Sequence, residues 1–316
     1  MSKAFASTGD LDEKQISFDD LGGGAYAYTA EGDPNTGIVV GENGVLVIDA
    51  QATPLMAEGV LERVRSITDK PVTHLVLSHY HAVRVLGAAA YGDVEIIASQ
   101  GTRDMIEERG REDWQSEFER FPRLFQGHDS IAGLTVPTRV FSDPLSLDLG
   151  NRPVQIFHPG RGHTQGDTVV WLAEEKILFA GDLVEYGATP YCGDAHLTDW
   201  SGTLDALRAL GPEKMVPGRG DALTTVEQCR KAMTMTEGFV RDLFATAQEG
   251  RAQGLDLKQT FDLAKRRMDP KYADWVIYEH CMPFNVARAY DEAGGRESPA
   301  IWTAERDKEM WAALNG

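Results

Sequence analysis

Short apolar runs alternate with stretches of helical spacing along the first 225 residues. Residues 37–41 and 44–49 are two β-rich runs joined by a Gly-Glu-Asn-Gly turn, which predicts a pair of adjacent strands. A helix is predicted to begin after Thr53 and to continue through Val64, because a capping residue precedes a proline at the first helical position. Further strands are predicted over residues 71–77, 94–98, 153–157, 168–172 and 176–180. The alternation indicates a layered α/β fold with some antiparallel hairpins.

After about residue 225 the β-rich runs stop and helical spacing takes over. Apolar residues recur at helical spacing in segments that include Val226, Leu257 and Ile301. We therefore predict one α/β domain over residues 1–225 and a helical extension over residues 226–316 that packs on the same domain. The extension would serve as a lid or wall, or its apolar face with Trp302 and Trp311 would form the contact of a homodimer.

One earlier segment is unusually polar for a helix. Residues 101–120 carry eleven charged side chains in twenty positions. Such a run is typical of a solvated surface helix, and we predict one there.

The composition narrows the class of protein. The 316 residues include 31 Lys+Arg and 49 Asp+Glu, and the resulting formal net charge of −18 disfavours nucleic acid as a partner. A hydrophobic share of 42% is sufficient for a sizeable core. The sequence contains no apolar run of about 18 residues, so no membrane-spanning helix is predicted. The sequence start lacks the apolar core of a secretory signal, and Cys192, Cys229 and Cys281 form no CxxC pair. We expect a cytoplasmic protein that acts on a small molecule and does not bind membranes.

Three short motifs place metal-binding side chains at strand ends. His79 and His81 follow a predicted strand, and imidazoles at i and i+2 on an extended chain point to the same side. A lone His-x-His motif is a weak signal, but His163 lies in a Gly-His-Thr loop and Asp182 ends another strand. Loops at strand ends are where α/β folds gather their ligand sites.

In this order, the motifs His79-x-His81, Gly162-His163-Thr164 and Gly181-Asp182 resemble those of the metallo-β-lactamase superfamily of metallohydrolases. The resemblance spans roughly residues 24–221 and implies a four-layer αββα sandwich with metal at one edge between the sheets. It also implies that His79, His81 and His163 hold the first metal and that Asp182 bridges to a second. Asp49 and Thr164 would then lie behind the ligands, with Asp49 orienting a ligand histidine.

The sequence departs from the family pattern at the second metal. Val83 and Arg84 replace the Asp-His pair of His-x-His-x-Asp-His, and Arg219 replaces the histidine of a later Pro-Gly-His-Gly. Valine cannot ligate a metal and arginine stays protonated, so neither restores a lost ligand. We therefore expect one zinc ion per chain, on three imidazoles with an open position, as in catalytic zinc sites.

The expected reaction is hydrolysis of a small ester, lactone, thioester or amide by a zinc-bound hydroxide. Asp182 would orient that hydroxide or accept its proton. Arg84 and Arg219 would hold an anionic substrate group or stabilise an oxyanion, or they would only neutralise Asp182; the sequence leaves both open. The loop after Asp182 adds Tyr186, Tyr191 and His196 as candidate substrate contacts.

Two other functions remain open from the sequence. His79, His163 and Asp182 could form a two-histidine, one-carboxylate site for Fe²⁺, as in the persulfide dioxygenases of the same superfamily. Alternatively, the chain is a non-catalytic member that binds a ligand, since all three second-site groups are missing. Cys192, His280 and Cys281 are predicted to be buried structural residues.

Overall fold

The computed structural model of the chain describes residues 4–150 and 152–315. Within them the strands are β1 (Ile16–Gly22), β2 (Ala25–Ala30), β3 (Thr36–Val40), β4 (Val45–Ile48), β5 (Val72–Val76), β6 (Glu95–Ser99), β7 (Arg139–Phe141), β8 (Leu145–Asp148), β9 (Pro153–Phe157), β10 (Val169–Leu172), β11 (Ile177–Gly181) and β12 (Lys214–Pro217). The helices are α1 (Pro54–Ile67), α2 (Ala82–Val85), α3 (Gln100–Arg120), α4 (Leu197–Leu210), α5 (Val226–Ala252), α6 (Leu257–Tyr272), α7 (Tyr278–Ala293) and α8 (Ala304–Asn315). Short 3-10 helices cover Leu86–Tyr91, Pro122–Phe125 and His128–Ser130.

The strands form two sheets. The first has the order β1-β2-β3-β4-β5-β6-β7, antiparallel as far as β4 and parallel from β4 to β7. The second has the order β12-β11-β10-β9-β8, in which only β11 and β12 are parallel. Every strand predicted from the sequence is present, and Thr53 caps α1 by accepting a hydrogen bond from the Met56 amide.

Alternate strand residues divide the interior into layers, as the pleat requires. Leu46, Ile48 and Val76 of the first sheet pack with Ile156 and Phe179 of the second, so the two sheets share an apolar core. The outer face of the first sheet packs on α1 and α3, and the outer face of the second packs on α4 and α5. The resulting order of helix, sheet, sheet and helix confirms the predicted αββα sandwich.

The extension after residue 225 is helical, as predicted. Its helices α5, α6 and α7 pack together, and one continuous apolar cluster runs from Val169 through the second sheet to Leu314. α8 packs on α3, on the opposite side of the sandwich from α4. The extension therefore contacts both outer layers of the sandwich.

The sequence did not predict the β1–β2 hairpin. β1 is an edge strand with mostly exposed residues, among them Asp20, and Asp19 beside it is half-buried. Polar residues suit an edge strand, since they discourage pairing with other chains, but they hide the apolar alternation used for prediction.

The predicted solvated surface helix over residues 101–120 is present as α3, but only part of its circumference is exposed. One face of α3 is buried and includes Arg109, Asp113 and Arg120. These charged side chains are satisfied by partners from the centre of the molecule, which are described below. Among the described residues, no helix is long and apolar enough to cross a membrane.

Candidate metal centre

The side chains of the centre come from loops at the carboxyl ends of four strands. His79 and His81 follow β5, His163 follows β9, Asp182 follows β11 and Arg219 follows β12. β9, β11 and β12 run in the same direction, so their carboxyl ends meet at one edge of the second sheet. The centre lies where this edge meets the end of β5 in the first sheet.

The three imidazoles converge on one point. His163 Nε2 lies 3.0 Å from His81 Nδ1 and 3.3 Å from His79 Nε2, and all three side chains are buried. The three candidate ligand atoms lie within 4.8 Å of one another. Tetrahedral zinc with Zn–N bonds of about 2.0–2.1 Å requires nitrogen atoms roughly 3.3 Å apart. The geometry therefore fits a single zinc ion.

Each imidazole is oriented through its other ring nitrogen. His79 Nδ1 lies 2.9 Å from Ser78 Oγ, and His163 Nδ1 lies 2.8 Å from the Tyr191 carbonyl oxygen. His81 Nε2 lies 3.3 Å from Asp194 Oδ2. Such bonds orient each ring and direct its other nitrogen toward the common point, as metal ligation requires.

Asp49 reaches the centre through Ser78. Its carboxylate accepts hydrogen bonds from the Ser78 amide and hydroxyl, both at 2.8 Å, and that hydroxyl contacts His79. Burial raises the pKa of Asp49 to about 6, although Arg84 opposes the shift. Asp49 was predicted to orient a histidine directly. In the structure Ser78 lies between the Asp49 carboxylate and the His79 ring, so Asp49 acts on His79 only through Ser78.

Thr164 stabilises the loop that carries His163. Its amide and hydroxyl donate to the carboxylate of Asp167, with the hydroxyl at 2.7 Å. This closed turn holds the chain directly after His163, so Thr164 acts on the position of that side chain through the backbone.

Asp182 is bonded to two arginines, Arg84 and Arg219. Arg84 binds Asp182 Oδ1, and Arg219 Nη1 lies 3.0 Å from Asp182 Oδ2. Burial raises the pKa of Asp182, but the two guanidiniums and His79 more than offset this effect and hold it well below its usual range. Asp182 Oδ2 also lies 3.6 Å from His163 Nε2 and 3.8 Å from His79 Nε2, so a carboxylate paired with two arginines borders these two imidazoles.

The two arginines differ in their surroundings. Arg84 also donates to the backbone carbonyls of Asn35, at 2.8 Å, and Gly218, at 2.7 Å, and it does not line the cavity. A side chain at Gly218 would collide with the Asp182 carboxylate, so the glycine makes room for this pairing. Arg219 does line the cavity, and its second carboxylate partner is Glu185 at 3.4 Å.

A narrow cavity opens onto the imidazoles. It is lined by His81, His163, Asp182, Tyr191 and Arg219, together with Glu117, Arg120 and Phe121 from α3 and its end and with Ile277, His280 and Cys281 from the start of α7. The space open to the centre of a water molecule is about 20 Å³, enough for about one ordered water.

Of the three predicted substrate contacts, only Tyr191 lines the cavity. Its hydroxyl accepts a hydrogen bond from Arg120 at 3.1 Å, and its ring lies edge-on to His81. The Tyr186 ring instead faces Lys231 of α5, and His196 lies at the start of α4. The prediction that Tyr186 and His196 contact substrate is therefore not supported by their positions.

Several residues of the centre were missed or misjudged from the sequence. Asp113 and Glu117 accept hydrogen bonds from the amides of Ala82 and Val83, which begin the short helix after His81. Arg109, Asp113, Ser116 and Arg120 recur at helical spacing on the buried face of α3. That spacing could have indicated from the sequence that one face of the helix is buried. His280 was predicted to be only a structural residue. Its Nδ1 is hydrogen-bonded to Ser7 Oγ at 2.8 Å, and the side chain also lines the cavity.

The surrounding charges give the imidazoles different pKa values. Burial lowers the pKa of His81, but the carboxylates of Asp113 and Asp194 more than offset this effect and raise it to about 9. Burial lowers the pKa of His163 to about 3, although Asp182 opposes the shift. His81 is therefore the most basic of the three candidate ligands.

Comparisons with known proteins agree with this geometry. Residues 29–219 match the family model described as the metallo-beta-lactamase superfamily. The chain is 28% identical to the metallo-beta-lactamase type 2 of Bacteroides fragilis, over 65% of this chain and 80% of that protein. It is 22% identical to the linear primary-alkylsulfatase of Pseudomonas sp. (strain ATCC 19151), over 74% of this chain and 50% of that protein.

Solved structures show the same fold. A metallo-beta-lactamase from Pontibacter korlensis has a TM-score of 0.57 and 20% identity, covering 72% of this chain and 99% of that one. The mono-zinc form of FIM-1 from Pseudomonas aeruginosa has a TM-score of 0.55 and 20% identity, covering 72% of this chain and 95% of that one.

Proposed function

The chain belongs to the metallo-beta-lactamase superfamily, and on that premise we propose that it is a hydrolase with a single zinc ion on His79, His81 and His163. The observation that carries the proposal is the convergence of three ring nitrogens at 3.0 and 3.3 Å beside a carboxylate that two arginines already bind. The matching metallo-beta-lactamase and alkylsulfatase are both hydrolases, which supports the reaction class. The proposed substrate is a small ester, lactone, thioester or amide.

The arginines argue for one metal rather than two. Arg84 and Arg219 supply fixed positive charge against Asp182, which is the charge a second dication would otherwise supply. Neither guanidinium can lose a proton to become a ligand. Asp182 therefore has both oxygens engaged without a second ion.

The residues around the zinc position have separate tasks. When bound, zinc acts as a Lewis acid and lowers the pKa of a water ligand to about 7, which supplies a nucleophile at neutral pH. Asp182 accepts a hydrogen bond and orients the attacking group, because a carboxylate with a strongly lowered pKa is a poor proton acceptor. Arg219, at the cavity wall, holds an anionic part of the substrate or the developing oxyanion.

Metal analysis of protein purified without added metal tests the proposal. One zinc per chain supports it, one iron supports the oxygenase alternative, and two metals would contradict the single-site argument. His163→Ala should lose both the zinc and all hydrolysis of lactone, thioester and chromogenic ester substrates. The substitution removes one of the three proposed ligands, the one whose Nε2 lies close to the ring nitrogens of both His79 and His81. Full turnover by demetallated protein would overturn the proposal.

A further inference from the structure

One helix of the C-terminal extension is bonded along its length to the loop between β11 and α4. Cys281, Asn285, Arg288 and Glu292 share one face of α7, since they recur at i, i+4, i+7 and i+11. Arg288 Nε donates to the Ala195 carbonyl at 2.7 Å, and Glu292 accepts from the Leu197 amide at 3.0 Å. The loop therefore takes its shape from α7.

Asn285 lies at the centre of this face and is completely buried. Its Oδ1 accepts a hydrogen bond from the Cys192 amide at 2.6 Å, and its Nδ2 donates to the Pro190 carbonyl at 2.8 Å. The side chain thus holds the backbone on both sides of Tyr191.

The bonded peptide group is the one that orients a ligand. The Cys192 amide and the Tyr191 carbonyl belong to the same planar unit, and in a trans peptide they point in opposite directions. Asn285 accepts from the amide at one edge of this planar unit, and His163 Nδ1 lies 2.8 Å from the carbonyl oxygen at the opposite edge. The result is a continuous chain from Asn285 through one peptide group to His163.

We propose that Asn285 is a positioning residue for the metal centre, which sets the orientation and tautomer of His163 through the Tyr191–Cys192 peptide. Hydrogen bonds in such a chain polarise one another, so an acceptor on the amide strengthens the bond that the carbonyl accepts. The helical extension is then part of the metal site, not only a wall beside it. This inference rests on the proposed function only in that His163 binds the metal.

Metal affinity, measured without substrate, tests the inference. Asn285→Leu keeps the size of the side chain but removes both bonds, and we expect its affinity for Zn²⁺, in competition with a chelator, to fall ten- to a hundredfold. The absorption spectrum of the Co²⁺ form should change as well, since the ligand field depends on the orientation of His163. Asn285→Asp retains an acceptor toward the Cys192 amide but loses the donor to the Pro190 carbonyl, so its affinity and spectrum should lie closer to those of the wild type than those of Asn285→Leu do.

Val286→Ala is the matched control. Val286 is a buried neighbour on α7 that packs in the apolar core, so its truncation costs stability without touching the loop peptide. We expect wild-type affinity and an unchanged Co²⁺ spectrum. Equal losses in Asn285→Leu and Val286→Ala would mean that only stability matters and would overturn the inference.

The remaining outcomes separate the two proposals. Wild-type affinity in Asn285→Leu overturns the inference and leaves the proposed function intact, whereas failure of the wild type to bind zinc overturns both. If Asn285→Leu does not fold, Asn285→Ser replaces it. Serine is too short to reach the Cys192 amide, so affinity should again fall relative to Asn285→Asp, and equal affinity in these two variants would contradict the inference.

Discussion

The three imidazoles carry three different acceptors on their outer nitrogens. These are a hydroxyl at Ser78, a carboxylate at Asp194 and a peptide carbonyl at Tyr191. A carboxylate makes an imidazole a stronger donor to a metal than a neutral acceptor does. The three candidate ligands are therefore unequal, and their inequality is set by residues outside the recognised motifs.

We predict that Arg84 contributes mainly to stability and that Arg219 contributes mainly to activity. Arg84→Met leaves Asp182 short of a partner and two backbone carbonyls without a donor, so we expect a loss of about 3–5 kcal/mol in the free energy of unfolding. Arg219→Met leaves the Arg84 bonds in place and should cost less stability but more turnover of an anionic substrate. Urea unfolding and kcat/KM of both variants measure the difference, and equal losses of stability would contradict it.

Ile277 is held in a backbone conformation that isoleucine rarely adopts. Its φ is +57°, and its side chain lines the cavity directly before α7. The neighbouring residue Val276 pairs with the loop, its amide donating to Gly187 and its carbonyl accepting from Thr189, so the chain must turn sharply at Ile277. The fold thus holds a branched side chain in a strained backbone conformation at the wall of the cavity.

This strain predicts an inverted order of stability. Ile277→Ala and Ile277→Gly both shorten the side chain, but only glycine adopts positive φ freely, so the glycine variant should be more stable by about 1 kcal/mol. At Val276, whose φ is not positive, the alanine variant should be the more stable of the two. Urea unfolding of the four variants measures both orders, and a more stable alanine variant at Ile277 would refute the strain argument.

At the scale of elements, prediction from sequence succeeded where local chemistry determines structure. Thr53 before Pro54 set the start of α1, and the apolar runs located the central strands. It was incomplete for α3, because charge was taken to mean exposure. Asp113 on that helix is buried and accepts from the Ala82 amide, a contact between residues 31 positions apart that no local pattern contains.

The candidate site divides in the same way. The candidate metal ligands and both arginines were predicted from their motifs, since each lies at a strand end with a recognisable neighbour, and the structure brings them together. Asp194 and Asn285 were not predicted, because their roles depend on how a loop and a helix from distant parts of the sequence meet. Residues that position ligands are selected by tertiary contact, and single-sequence spacing does not record it.

For the molecule as a whole, the net charge of −18 and the charge at the centre are separate properties. The acidic excess lies mostly on the surface, whereas Arg84, Arg120 and Arg219 are buried around Asp182 and the cavity. Buried charges contribute to stability mainly through their partners, so the pH dependence of stability depends on a few buried groups rather than on the net charge.

His196 provides the clearest of these groups, because it is not among the candidate ligands. Burial lowers its pKa to about 4, with further lowering by Arg161 and Arg288 that Glu292 and Asp199 oppose, and its Nε2 has no hydrogen-bond partner. Below about pH 6.5 the unfolded chain binds a proton at this side chain that the folded chain does not. Stability should therefore fall as the pH falls from about 6.5 to 4, by about 1.4 kcal/mol per pH unit from this residue.

The contribution is isolated by comparing the wild type with His196→Gln, which cannot take up a proton. We expect the difference between their free energies of unfolding to shift in favour of the variant as the pH is lowered from about 7 to about 5. Urea unfolding in the presence of a chelator measures this difference without metal binding, which would add its own pH dependence. Parallel pH profiles for the two proteins would show that His196 is protonated in the folded state, and the argument from its burial would then fail.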